Sequence, residues 1–249
     1  GLPAVSVRQR IDQQPGFVLH SYPYRETSLI VEAFSRDHGR IGLVAKGARR
    51  PMSQLRGVLM AFQPLLIDWS GGGEMKTLVR AEWQGGQPLL GGQALSCAYY
   101  LNELLLRLMP REDAHPFLYQ AYGDALRALA LGEPQEVVLR RFELALLQEL
   151  GYGLELEADC DGVPVRSDGH YAYIIERGAV PLEEYGIDDP GVVSGKTLLD
   201  MARSDFLDPD TLAQSKALMR RLIQHYLGGQ VLQSRRVFTE LFAFPGDPS

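Results

Sequence analysis

Apolar positions alternate with polar ones through the first ninety residues, then recur every three or four residues. Phe17-Val18-Leu19 is one strand-like run, and Ser28–Phe34 is a second, rich in β-branched and aromatic side chains. Asp37-His38-Gly39 is a hairpin turn. It leads into a third strand, Arg40–Ala45, where Ile41, Leu43 and Ala45 alternate with Gly42 and Val44. Residues 46–58 break the pattern with two glycines and a proline, leaving space for one short helical turn. Phe62–Trp69 is a fourth strand, in which Pro64 argues for an edge or a bulge. Ser70–Gly73 is a turn, and Glu74–Trp83 is a fifth strand.

The run QGGQPLLGG at 84–92 marks a boundary. Beyond it, Leu95, Ala98, Leu101, Leu105 and Leu108 predict an amphipathic helix over Gln93–Met109. A second helix is expected over Phe117–Leu131. A third runs over Pro134–Leu150, with a stripe of Leu139, Phe142, Leu146 and Leu150 and a stop at Gly151. Residues 154–187 lose the helical period, and Tyr171–Ile175 with Gly178–Pro181 reads as a small hairpin. Helices are expected again near Ser194–Arg203, Thr211–Leu227 and Arg235–Phe242.

Charge separates the two halves. Residues 1–90 carry 11 Lys and Arg against 7 Asp and Glu, whereas the remainder carries 14 against 24, in a chain of formal net charge −6. The segment Arg40–Arg56 (RIGLVAKGARRPMSQLR) holds five cations and no acid. A basic stripe on an acidic protein points to a polyanionic partner, although charge runs also simply solvate a surface. Five short strands fit an OB barrel or an SH3-like barrel, and the basic strand and loop favour the OB form, which binds single strands on one face. The expected architecture is α+β and multi-domain. A flexible N-terminus (1–15) precedes an OB-fold DNA-binding domain (16–87) and a mainly helical domain (93–244) with an insert at about 154–187.

The remaining chemistry is sparse. Two cysteines, Cys97 and Cys160, form no disulfide framework and suit a reducing compartment. Five scattered histidines give no metal-ligand spacing, so no metal and no cofactor are expected. No apolar run approaches the ~18 residues needed to span a bilayer. Residues 1–16 carry no signal-peptide pattern, although a first residue of Gly rather than Met suggests trimming. Gly195-Lys196-Thr197 imitates the end of a phosphate-binding loop, but the position of its first glycine holds Pro190, and Ser194 suits a helix cap. No catalytic constellation stands out, and no enzyme activity is expected. Arg140 and Arg141 admit two readings. One is an ordinary surface pair with Glu136, the other a docking point for an acidic, hydrophobic-ended peptide.

Four segments carry a likeness: Phe17–Arg50, Leu55–Glu82, Leu139–Gly153 and Tyr226–Arg235. With their ETSL, VAKGARR, GGGE-x-KTL and LRRFE elements, they resemble the bacterial recombination mediator family RecO. The resemblance implies an N-terminal OB domain and a C-terminal helical domain. It implies binding of single- and double-stranded DNA, strand annealing, and action on single strands coated by single-stranded-DNA-binding protein (SSB). It also implies contact with the acidic SSB C-terminal tail through Arg140, and loading of the recombinase RecA together with the partner RecR. Many members hold a structural zinc on four cysteines near residues 155–190, where this chain keeps only Cys160.

On this reading Lys46, Arg49, Arg50 and Arg56 contact phosphates, assisted by Arg40, Lys76 and Arg80 from the sheet. Arg140 and Arg141 take the SSB tail, and the protein is cytoplasmic and nucleoid-associated. Two other functions fit the sequence less well: an adaptor whose basic loops take acidic protein tails with no direct DNA role, and a nuclease-type enzyme, which would need clustered carboxylates for metal ions.

Overall fold

The computed structural model describes residues 9–183 and 191–228. The expected helix at Arg235–Phe242 lies outside them. The chain divides into two compact units, the first running to Leu131 and the second starting at Gly132.

Unit one is built on a closed barrel. Its strands are β1 (Arg10–Tyr24), β2 (Ser28–Ser35), β3 (Gly39–Ala45), β4 (Leu65–Ser70) and β5 (Met75–Trp83), paired in the order β1-β2-β3-β5-β4. Every pairing is antiparallel except β3 with β5. This is the OB topology expected from the charge and strand count. The inward alternation of Val31, Ala33, Ile41, Leu43, Ala45, Leu65, Ile67 and Trp69 forms a buried apolar core.

β1 corrects the sequence reading most. It starts at Arg10, so residues 10–15 are ordered strand and no flexible segment extends to 15. Its first half pairs with β4 and its second half with β2, and one long strand thereby closes the barrel. Gly16 sits where both pairings meet, and a Cβ there would lie 2.9 Å from Ile67 Cδ1 and 3.2 Å from the Phe34 carbonyl oxygen. β4 starts at Leu65, later than expected, so Pro64 stands just ahead of the strand, where its missing N–H leaves no ladder bond unmade.

Helices α1 (Gly92–Leu108) and α2 (Pro116–Ala130) belong to the same unit. Phe17 and Phe34, paired across β1 and β2, pack on Tyr119 and Tyr122 of α2 with ring centroids 5.1–6.0 Å apart. Burial pushes the Tyr119 phenol up to about 12 and raises Tyr122 further, so both stay neutral. The Tyr122 hydroxyl donates to Asn102 Oδ1, and Asn102 Nδ2 donates to the Leu19 carbonyl at 3.1 Å.

Unit two contains α3 (Gln135–Glu149), a three-stranded sheet, α4 (Gly195–Ala202) and α5 (Pro209–Tyr226). The expected hairpin is β6 (His170–Ile174) with β7 (Gly178–Pro181). A third strand, β8 (Val192–Ser194), pairs along the other side of β6 and was not foreseen, because three residues carry no readable period. Tyr171 and Tyr173 are buried in this sheet. The nearby turn is held by Asp159, whose carboxylate accepts from the Asp161 and Val163 amides at 2.8 and 3.0 Å.

Candidate nucleic-acid interface

The loop that joins β3 to β4 is a chain of successive tight turns rather than a helix, with backbone bonds from Arg50 to Gly47, Ser53 to Arg50, Arg56 to Ser53 and Val58 to Leu55. Its side chains divide by polarity. Ala48 is buried, and Leu55, Val58 and Leu59 pack against the barrel core. Lys46, Arg49, Arg50 and Arg56 are exposed. Burying the apolar residues against the barrel therefore turns the cations outward. Removing Ala48 and three partly buried aliphatic residues from water provides the driving force, at roughly 25 cal/mol per Å² of apolar surface.

Arg49 ties this loop to the β1–β2 turn. Its amide donates to the Thr27 carbonyl at 2.8 Å, its Nε to the Ser28 carbonyl at 2.9 Å, and its Nη2 to the Arg25 carbonyl at 2.6 Å. The Gly47 amide donates to Ser28 Oγ at 3.2 Å, and the Arg50 side chain lies against Gly47. Arg25 is thereby held beside the basic loop. It is exposed, and its guanidinium sits 5.0 Å from the Tyr24 ring centroid. Sequence reasoning did not assign Arg25 to the site, because it lies fifteen residues ahead of Arg40 and only the β1–β2–β3 pairing brings it in. The exposed acid Glu26 occupies the same turn.

The assisting cations each have an ion-pair partner. Arg40 is part-buried, donating to Glu32 at 3.1 Å and to the Met109 carbonyl at 2.9 Å. Glu32 also accepts from Arg111, which in turn pairs with Glu74. Lys76 is buried, bound to the Gly73 carbonyl and to Glu112, both at 2.6 Å. Both cations are neutralised where the α1–α2 connection meets the barrel. Arg80 is exposed, pairs with Glu82 at 3.6 Å and stands opposite Asp68. A sequence count of positive charge cannot see this, because Glu32 and Glu112 reach Arg40 and Lys76 only through the fold.

The second candidate pair lies on α3. Arg140 is buried and pairs with Glu143, itself buried, so it is not the surface partner of Glu136. Glu136 instead faces Lys216 of α5 at 3.7 Å. Arg141 is exposed, with Nη2 3.5 Å from the Ser204 carbonyl.

The Gly195-Lys196-Thr197 tripeptide has a structural use. A Cβ on Gly195 would lie 1.7 Å from the Arg166 carbonyl oxygen, so only glycine fits. Ser194 Oγ caps α4 by accepting from the Thr197 amide at 3.1 Å. Lys196 pairs with Asp200 at 2.6 Å and Asp208 at 3.1 Å, leaving it committed within the unit.

Among the described residues, no group of three or more His, Cys, Asp or Glu is arranged to hold a metal ion. No helix among them is long and apolar enough to cross a membrane.

Comparison with known proteins agrees with this architecture. The family model "Recombination protein O N terminal" matches residues 10–86, and "Recombination protein O C terminal" matches residues 91–236. The chain is 68% identical over 240 residues to a DNA repair protein RecO from Azoarcus sp. strain BH72, covering 95% of this chain and 99% of that one. It is 56% identical over 240 residues to the protein of the same name from Dechloromonas aromatica strain RCB, with the same coverage of 95% and 99%. A third relative, the DNA repair protein RecO of Burkholderia pseudomallei strain 1710b, is 51% identical over 235 residues, 93% of this chain and 84% of that one. A barrel of OB topology followed by helices, matched over residues 10–86 and 91–236 by the two halves of one family, makes this chain a member of the RecO family of DNA repair and recombination proteins.

Proposed function

We propose that this chain is a non-enzymatic mediator that grips DNA on the β1–β2 turn and the β3–β4 loop of its barrel. The observation that carries this reading is the polarity split of the β3–β4 loop. Ala48, Leu55, Val58 and Leu59 plug the barrel, which leaves Lys46, Arg49, Arg50 and Arg56 in solvent beside Arg25. Flexible exposed cations neutralise phosphates without reading sequence. Two complementary strands neutralised on the same surface lose their mutual repulsion, so annealing needs no bond made or broken.

The second unit, acidic in sequence, would take protein partners. Arg141 is the exposed cation of α3 and the first candidate for a tail carboxylate of SSB; Arg140, fixed by Glu143, would shape that face from beneath. Partnership with RecR, and through it loading of RecA on SSB-coated strands in the cytoplasm, follows from family membership as part of the same proposal.

The test is charge reversal of Lys46, Arg50 and Arg56 to Glu. These three leave the Arg49 hydrogen bonds intact. Gel shifts with an oligonucleotide should show loss of binding, while fluorescence polarisation with an SSB-tail peptide should be unchanged. Equal loss of both, with the circular dichroism spectrum intact, would refute the division of labour. Arg141→Ala should weaken the peptide and spare the DNA.

A further inference from the structure

We infer that the outer face of β1 is a base-stacking platform which gives the basic loops a preference for single-stranded over double-stranded nucleic acid. This rests on the phosphate-gripping reading above and adds the ligand form it selects.

β1 carries an aromatic at every second position of its last turn-ward stretch: His20, Tyr22 and Tyr24. His20 and Tyr22 are exposed, Tyr22 to 47%, and Tyr24 is half-buried. The His20 and Tyr22 ring centroids are 6.0 Å apart with planes inclined at 34°. Tyr24 carries Arg25 over its ring. In register beside Tyr22 stand Ile30 of β2, Val44 of β3 and Thr77 of β5, an uncharged floor across four strands. At one end of this floor lie Ser28, Gly47 and Arg49, where the basic loop begins. A strand whose phosphates follow the loop cations would have its bases within reach of these rings.

The direction of the rings is set by a defect in the strand. Phe17 faces outward against α2, so unbroken alternation would send Leu19, Ser21 and Pro23 outward as well. The register instead shifts between Val18 and His20. Leu19 is the extra residue, and the shift turns His20, Tyr22 and Tyr24 outward, with Ser21 opposite Val31 and Pro23 opposite Leu29. The bulged Leu19 carbonyl is pinned by Asn102, which is fixed by Tyr122. A buried polar chain thus holds the bulge that aims the aromatic row. Duplex DNA keeps its bases stacked inside and can offer these rings only its backbone, whereas a single strand offers a π-face at each base.

The test compares the full chain with Tyr22→Ala and Tyr22→Trp on a single-stranded and a double-stranded oligonucleotide at one salt concentration. A 2-aminopurine base in the single strand reports stacking directly. Tyr22→Ala should lose about tenfold in single-strand affinity, the order found for one base–aromatic stack, and change duplex affinity by less than about twofold. Tyr22→Trp should restore the single-strand affinity, and the quenching of 2-aminopurine seen with the native chain should fall with Tyr22→Ala alone. Unchanged single-strand binding and quenching in Tyr22→Ala, while charge reversal of Lys46, Arg50 and Arg56 still abolishes binding, would overturn the platform and leave the phosphate reading standing. A native chain that binds neither oligonucleotide would overturn both.

Discussion

On the proposed reading, the number of cations that face solvent fixes how steeply affinity for DNA falls with salt. The structure leaves Arg25, Lys46, Arg49, Arg50 and Arg56 exposed and pairs Arg40, Lys76 and Arg80 with Glu32, Glu112 and Glu82. Five phosphate contacts on a single strand give a log–log salt slope of about −3.5, a loss of roughly 130-fold between 50 and 200 mM salt. The seven cations chosen from sequence alone would give a slope of about −4.9 and a loss of roughly 900-fold. Arg25→Ala should flatten the slope to about −2.8, roughly 50-fold over the same range. Arg40→Ala should leave the slope unchanged and instead destabilise the fold, by about 1–3 kcal/mol, because Glu32 loses one of its partners in a part-buried site. Fluorescence anisotropy of a labelled oligonucleotide at four salt concentrations measures the slopes, and thermal unfolding measures the stability. A slope near −5, or an Arg40→Ala slope as flat as that of Arg25→Ala in a protein of native stability, would refute the assignment.

Three further outcomes are expected. Arg49→Lys keeps the charge but cannot hold the Ser28 and Arg25 carbonyls together, so it should weaken DNA binding by more than a charge-neutral account predicts and raise protease cleavage in the 46–60 loop. Tyr122→Phe leaves the Asn102 carbonyl oxygen without its hydroxyl partner and should cost about 1–2 kcal/mol, read as a melting temperature lower by about 3–6 °C. Asp200 is buried, and burial alone would raise its pKa, but hydrogen bonds from Lys196, Thr211 and Arg203 bring it below the ordinary 3.8. Its contribution is therefore complete above the unfolded-state value and is lost as pH falls through the lower folded-state value. Asp200→Asn should destabilise the second unit by about 2 kcal/mol at pH 7, and the gap from the native chain should begin to narrow below about pH 4 in denaturant melts.

The barrel was legible because its inward residues alternate strictly: Ile41, Leu43 and Ala45 were placed in the core by period alone, and all three are there. β1 was read too short because Asp12, Gln13 and Gln14 have no strand period. They belong to the strand because β4 pairs with Ile11 before them and Gln14 at their end, across an irregularity that holds Asp12 and Gln13, which no local pattern reports. The basic loop was legible as charge, and its exposure follows from the apolar residues interleaved with it. Arg25 carries no sequence signal because only strand pairing brings its turn to the basic loop, and the ion pairing of Arg40 and Lys76 is hidden for a separate reason. Whether a cation is free depends on which carboxylates the topology brings to it, and Glu32 and Glu112 arrive from β2 and the α1–α2 connection. Arg140 shows the same limit, since its partner Glu143 lies one helical turn on but is buried with it.

On the proposed function, loop cations on the barrel hold a nucleic-acid backbone. The most direct test is titration of a labelled single-stranded oligonucleotide with the full chain in dilute buffer. Saturable binding that weakens steadily as salt is added is the expected result; no binding at the lowest salt by a folded protein would contradict the account.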